Sequence, residues 1–219
     1  VSLGLDYRND VTSEKGMPDY AVKKSFSVNW SHSQDSKANP YCTFSASVNF
    51  KTSGYNRNNI NGYYNPNIYS ENTQSSTLNY TQRFPDSPWS LSMSASLTQR
   101  MSDSTLTLTA PQLTVNMSTI YPFKLWRQAT LKRKGKPAGK EQWYEKISMR
   151  YSMNGKISTR NNMKESEFLH SNFFKDWNTS ISHNLPISAS FMLFKYLSVS
   201  PSITMNDRMY FQRVDQRWD

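Results

Sequence analysis

The chain has 219 residues, a formal net charge of +10 and a mean hydropathy of −0.75. Aromatic residues make up 14%, too many for a disordered polar tract despite 33 serines, and seven glycines with ten prolines exclude a collagen-like or linker sequence. No stretch approaches the roughly 18 consecutive apolar residues of a transmembrane helix, and the single cysteine, Cys42, excludes an intrachain disulfide or a cysteine-based zinc cluster.

Alternation with a period of two runs through most of the sequence and marks strands with one apolar and one polar face. Val1, Leu3, Leu5 and Tyr7 open a strand over Val1–Asn9, and Phe26, Val28 and Trp30 fall in a second over Ala21–His32. A third, Tyr41–Lys51, carries Phe44, Ala46, Val48 and Phe50 on one face; a fourth is Ser76–Phe84. In Trp89–Gln99 nearly every second residue is apolar, with serines between. Thr105–Met117 follows, with a change of parity across Pro111 that predicts a bulge there. Lys146–Ser158, Asp176–Ser190 and Tyr196–Arg208 complete about nine strands. Pro186 and Pro201 interrupt the last two, so pairing is sparse there or the boundaries lie elsewhere.

Several of these strands are long enough for a tilted membrane crossing of roughly 9–11 residues, beyond the soluble mode of about 5–6. Long alternating strands with small polar residues on the second face predict an all-β fold, an antiparallel transmembrane β-barrel with lipid outside and water inside. Low mean hydropathy fits this class, because half of each strand faces an aqueous lumen. Nine is odd where bacterial single-chain barrels use even numbers, and Val1 opens directly into a strand with no signal-peptide layout. The expectation is therefore a truncated chain, residues 1–219 forming one partial domain of a larger barrel in the bacterial outer membrane.

Long connections are expected near 53–75, which holds Asn-Gly and Asn-Pro turn signals, and near 121–142 and 159–175. Phe84–Trp89, with two prolines, and Met192–Lys195 read as short turns. With Phe84–Trp89 taken as periplasmic, strand parity sends 53–75 outside and puts Met192–Lys195 and the long 121–142 segment on the periplasmic side. Aromatics near strand ends read as membrane-interface rings: Phe84, Trp89, Tyr121, Phe123, Trp143, Tyr144, Phe194 and Tyr196. Turn-flanking rings of a soluble β-sandwich are the alternative.

Seven of the 26 Lys and Arg lie between Lys124 and Lys140 with no acid among them, and the rest are scattered, which argues against a nucleic-acid surface. Lys132, Arg133, Lys134 and Lys136 are candidates for contact with anionic lipid or a partner; a solvated loop is the plainer reading. No cofactor, metal or catalytic motif is present. His32 and His183 keep the apolar parity of their strands and read as outward-facing interfacial histidines near strand ends. Ser182 cannot serve His183 as a nucleophile partner, because adjacent strand residues point to opposite faces. Glu165 and Glu167, beside Lys164, read as a solvated loop.

The run Asn116-Met117-Ser118-Thr119-Ile120-Tyr121-Pro122-Phe123-Lys124, then Lys140-Glu141-Gln142-Trp143-Tyr144-Glu145-Lys146-Ile147, resembles a divergent branch of the LptD family of lipopolysaccharide-assembly barrels. Asn79–Pro85, Leu185–Ser188 and Phe194–Pro201 resemble further segments of that family, and the likeness is diffuse elsewhere. The resemblance implies a large barrel joined to a periplasmic β-jellyroll, and a non-catalytic component of the translocon that inserts lipopolysaccharide into the outer leaflet. It also implies lipopolysaccharide, outer-membrane lipids, an LptE-like plug lipoprotein and periplasmic bridge proteins as partners. No jellyroll segment is visible here. A porin or adhesin barrel and a soluble secreted β-sandwich remain the alternatives.

Overall fold

The strands form where alternation predicts them, with shifts at their ends. The computed structural model describes residues 1–52, 54, 55, 64, 65, 73–137, 139–160, 162–168, 170, 171, 176–194 and 196–211. In chain order the elements are β1 (Ser2–Val11), β2 (Val22–Ser33), β3 (Cys42–Lys51), β4 (Thr73–Arg83), β5 (Trp89–Arg100) and β6 (Thr105–Ile120). Helix α1 (Pro122–Arg133) and a 3-10 turn (Trp143–Lys146) precede β7 (Ser148–Thr159). Then come β8 (Met163–Lys164), α2 (Glu165–Phe168), β9 (Trp177–Ser188), β10 (Phe191–Leu193), β11 (Leu197–Val199) and β12 (Ser202–Tyr210).

One antiparallel sheet runs β1-β2-β3-β4-β5-β6-β7-β9-β12, with β8 added beside β6; β10 and β11 form a separate hairpin. The sheet does not close on itself, and the outer edges of β1 and β12 pair with no strand among the described residues.

Register separates the two faces cleanly. One row across the sheet reads Thr43–Thr81–Ser92–Thr114–Asn154–Ser182–Arg208, and the adjacent row reads Phe44–Tyr80–Met93–Leu113–Gly155–Ile181–Met209. Cross-strand pairs tie the polar face together, among them Thr114 Oγ1 to Asn154 Oδ1 at 2.9 Å and Asn184 Nδ2 to Asn206 Oδ1 at 2.7 Å.

Burial does not sort by polarity as in a water-soluble fold: Leu106, Met117 and Trp177 are buried, but so are polar side chains, and many large apolar ones are not. The largest fully buried side chains are Gln74, Gln99, Thr159 and Ser25, whereas Leu3, Leu5, Met93, Ile203 and Met205 are exposed. No second sheet covers the apolar face among the described residues, which removes the two-layer sandwich. An open apolar face of this kind is what the outer side of a barrel wall presents.

The parity change at Pro111 is a bulge. Ser94 pairs with Gln112 and Ser96 with Thr109, so Ala110 and Pro111 together oppose Ala95. The bulge keeps Leu106 and Leu108 on the same face as Leu113 and Val115; the Ala110–Pro111 peptide is cis. Pro186, which has no amide hydrogen, falls in a gap of the β7–β9 ladder between the Met149–Ile187 and Ser152–Asn184 pairs. Pro201 ends a strand: the expected Tyr196–Arg208 splits into β11 and β12, and β11 pairs with β10.

Two connections differ from expectation. Residues 121–142 are not an irregular loop but carry α1, and Met192–Lys195 is not the turn between β9 and β12. That link spans 189–201 and contains the β10–β11 hairpin, with Lys195 outside the described residues. The Asn-Gly turn signal at 61–62, Pro66 and most of the 53–75 connection also lie outside them. Connections 34–41, 84–88, 121–147 and 189–201 leave one end of the sheet, the turn end; 12–21, 52–72, 101–104 and 160–176 leave the other, the loop end. The parity expected for 84–89, 121–142 and 192–195 therefore holds. Length does not divide the ends: the tight 101–104 turn shares the loop end with 52–72.

Candidate functional site

The polar face is concave at the turn end. A recess of about 720 Å³ reaches from Tyr41, beside β3, to Pro186 on β9, so the sheet curls around it. Its wall is built by alternate residues of successive strands: Arg83 on β4, Ser90 on β5, Asn116 on β6, Arg150 and Ser152 on β7 and Asn184 on β9. No carboxylate lines it. Arg150 Nε donates to Thr119 Oγ1 at 3.1 Å, which steers one guanidinium along the wall. The 84–88 turn folds over the rim, with the Ser118 amide donating to the Pro88 carbonyl at 2.8 Å. Chemically this is a mixed cavity: two guanidinium groups and several hydroxyl and amide groups stand beside Tyr41, Phe84, Pro85, Pro88 and Trp89, so it can accept an anionic, polyhydroxylated group that also carries an apolar part.

Every expected interfacial aromatic stands at this same end. Phe84 and Trp89 flank the 84–88 turn; Tyr121, Phe123, Trp143 and Tyr144 lie around the 121–147 connection; Phe194 and Tyr196 lie on the β10–β11 turn. The structure brings several into contact. Phe123 meets Tyr144 edge-on at 6.4 Å, Trp143 meets Tyr144 at 5.9 Å and Phe191 at 6.1 Å, and Trp89 meets Tyr151 at 5.9 Å. Phe84, Trp89, Phe194 and Tyr196 are exposed.

The basic segment is ordered by a carboxylate clip. Pro122 supplies the first turn of α1, and Gly135, at φ 62°, turns the chain out after its last residues. On the inner side Arg127 Nη1 donates to Glu145 Oε2 at 2.6 Å, and Lys124 Nζ to Glu141 Oε1 at 2.8 Å. Glu145 is buried, and its carboxylate also accepts the Gln142 amide at 2.5 Å, closing the capping box of the 3-10 turn. Lys124 holds the Glu141 carboxyl below the usual range. Lys132, Arg133, Lys134 and Lys136 have no acidic partner among the described residues.

The histidines divide. His32 lies near the end of β2 and packs on Phe44 at 5.3 Å. His183 is mid-strand rather than at a strand end; Nδ1 is 2.7 Å from the Tyr151 hydroxyl, and Asp207 is its cross-strand neighbour. Ser182 lies on the opposite face, its Oγ 3.5 Å from the Asn154 carbonyl.

Two further constellations escaped the sequence reading. The Tyr55 hydroxyl donates to Asp6, which pairs with Arg8 at 3.1 Å, and the Arg8 guanidinium lies 5.2 Å from the Tyr55 ring centre. Tyr55 thereby fastens the start of the 52–72 connection to the polar face of β1. At the loop end α2 folds onto the strands, so Glu165 is not a solvated loop residue. Gln99 Nε2 reaches Glu165 Oε1 at 3.4 Å, and burial pushes the Glu165 carboxyl above its ordinary range. Only the cross-strand hydrogen-bond partners reveal these links, and spacing alone does not contain them.

A family model described as LptD protein matches residues 2–219. The chain belongs to the LptD family. No curated protein and no solved structure matches it. LptD membership gives it a role in lipopolysaccharide transport and assembly at the outer membrane, in a family of transport components rather than enzymes. The open sheet is the LptD-family β-barrel portion that the alternating strands predict.

Proposed function

We propose that this LptD-family chain is a wall section of the translocon that places lipopolysaccharide in the outer leaflet. The nine strands of its main path form one domain with further strands of a larger barrel; the polar face lines the lumen and the apolar face meets lipid. The turn end faces the periplasm, and its aromatic rings sit at head-group level. The observation that carries this reading is the carboxylate-free recess on the polar face, where Arg83 and Arg150 stand among hydroxyl and amide groups. A phosphorylated glycolipid matches that chemistry, since guanidinium groups take phosphate oxygens in pairs and the neutral groups take sugar hydroxyls. The family role further implies an LptE-like plug lipoprotein and periplasmic bridge proteins as partners.

The test is photo-crosslinking in cells. A benzophenone amino acid replaces Asn116 on the polar face or Met93 on the apolar face of the full-length protein. Crosslinks to lipopolysaccharide from 116, strongly exceeding those from 93, are expected. Equal labelling from both positions, or none from 116, refutes the reading. Steady ion conductance through the purified protein without lipopolysaccharide contact would favour a porin-type barrel instead.

A further inference from the structure

The clip that orders α1 consumes two of its cations and leaves the opposite side unoccupied. Phe123, Lys124 and Arg127 face the 3-10 turn through Tyr144, Glu141 and Glu145. Helical spacing puts Leu125, Ala129 and Lys132 on one outward line, and Trp126, Ala129 and Arg133 on the next. Leu125 is 56% and Trp126 70% exposed, and no residue of the helix is buried. The outward face is thus apolar along its first two turns and cationic in its last. Lys134 and Lys136 extend the charge past the C-terminus, and no acid occurs between Lys124 and Lys140.

We propose that α1 lies in the plane of the membrane surface at the turn end. Leu125 and Trp126 enter the head-group boundary, and Lys132, Arg133, Lys134 and Lys136 contact the phosphates of anionic phospholipids. Charge complementarity selects this occupant: an exposed tryptophan stands beside four cations with no acidic partner among the described residues, which suits an anionic lipid surface. Position agrees, because only Tyr121 separates the end of β6 from the start of α1, among the exposed rings of Tyr121, Phe123 and Trp143. The inference rests on the reading of those rings as membrane-interfacial. It adds an in-plane anchor beside the wall strands.

The experiment uses the full-length protein with Cys42→Ser, reconstituted in phosphatidylcholine vesicles with or without 30% phosphatidylglycerol. An environment-sensitive fluorophore is placed at Trp126→Cys or, separately, at Phe84→Cys. The expected result is a water-shielded label at 84 in both vesicles and at 126 chiefly in the anionic ones. The combined variant K132Q/R133Q/K134Q/K136Q should lower shielding at 126 by on the order of tenfold or more while the protein keeps its heat-modifiable migration. A shielded label at 84 with a solvent-exposed label at 126 in both vesicles overturns this inference and leaves the translocon reading intact. Solvent exposure at 84 as well refutes the interfacial reading itself. Shielding at 126 that needs a co-purifying protein, and not anionic lipid, overturns the lipid surface in favour of a partner.

Discussion

Glu145→Ala is expected to release α1 without unfolding the sheet. The Glu145 side chain is 4% exposed and its carboxylate accepts two short bonds, from Arg127 at 2.6 Å and from the Gln142 amide at 2.5 Å. Hydrogen bonds to a charged group contribute about 1.5–3 kcal/mol each. Arg127 keeps 21% of its side chain in water, which discounts its share, so the pair together supplies about 3 kcal/mol. That is a little over 100-fold in the local opening equilibrium. Hydrogen exchange measured by mass spectrometry on the full-length protein in detergent reads this directly. Amides of 122–146 should exchange about 100-fold faster, while those of β5 and β6 keep their protection. The double variant Arg127→Met with Glu145→Met should restore part of the loss, because it leaves no unpaired buried charge. Unchanged exchange in 122–146, or equal loss in β5 and β6, would refute the claim that the clip alone holds this unit.

Deleting Ala110 should preserve assembly, scored as retained heat-modifiable migration, because one residue then opposes Ala95 and plain alternation keeps Leu113, Val115 and Met117 on the face of Leu106 and Leu108; loss of assembly would refute the bulge register. Gln74→Met should raise stability by about 1–3 kcal/mol in denaturant unfolding, since neither amide atom of the buried Gln74 has a partner among the described residues. The raised Glu165 carboxyl binds its proton more tightly folded than unfolded, so docking of α2 should weaken as pH rises through the window above the ordinary carboxylate value. Exchange of residues 163–168 at pH 5 and pH 7.5 checks this, and Glu165→Gln should remove the difference. Glu141 behaves oppositely: its contact with Lys124 should persist through the ordinary carboxylate range and fade only as pH falls below it, seen as faster exchange in α1 in strong acid.

Strands were legible because alternation is a direct image of a two-faced wall. Even the bulge at Pro111 showed itself as a parity change. The helix has no long 3.6-residue apolar stripe for a physical reason: Leu125, Trp126 and Ala129 hold the outward line for only two turns before Lys132 and Arg133 take it over. Pro122 at its start and Gly135 just past its end were the readable signals. The β10–β11 hairpin was too short to alternate visibly, and Pro201 alone hinted at the break. Of the site, the aromatic residues were legible singly. Their gathering at one end follows from which connections share it, and the recess arises from curvature that no local pattern encodes.

Meander order has a kinetic consequence. Each strand of the main path pairs with the one before it, and among the described residues α1, the 3-10 turn, β8, α2 and the β10–β11 hairpin are interposed. The 121–147 connection is about five times as long as the 84–88 turn, yet closing the longer loop costs only about 1.5 kcal/mol more. No strand must wait for a distant partner, so the wall can grow hairpin by hairpin from any nucleus. Errors of register then stay local to the pair just added.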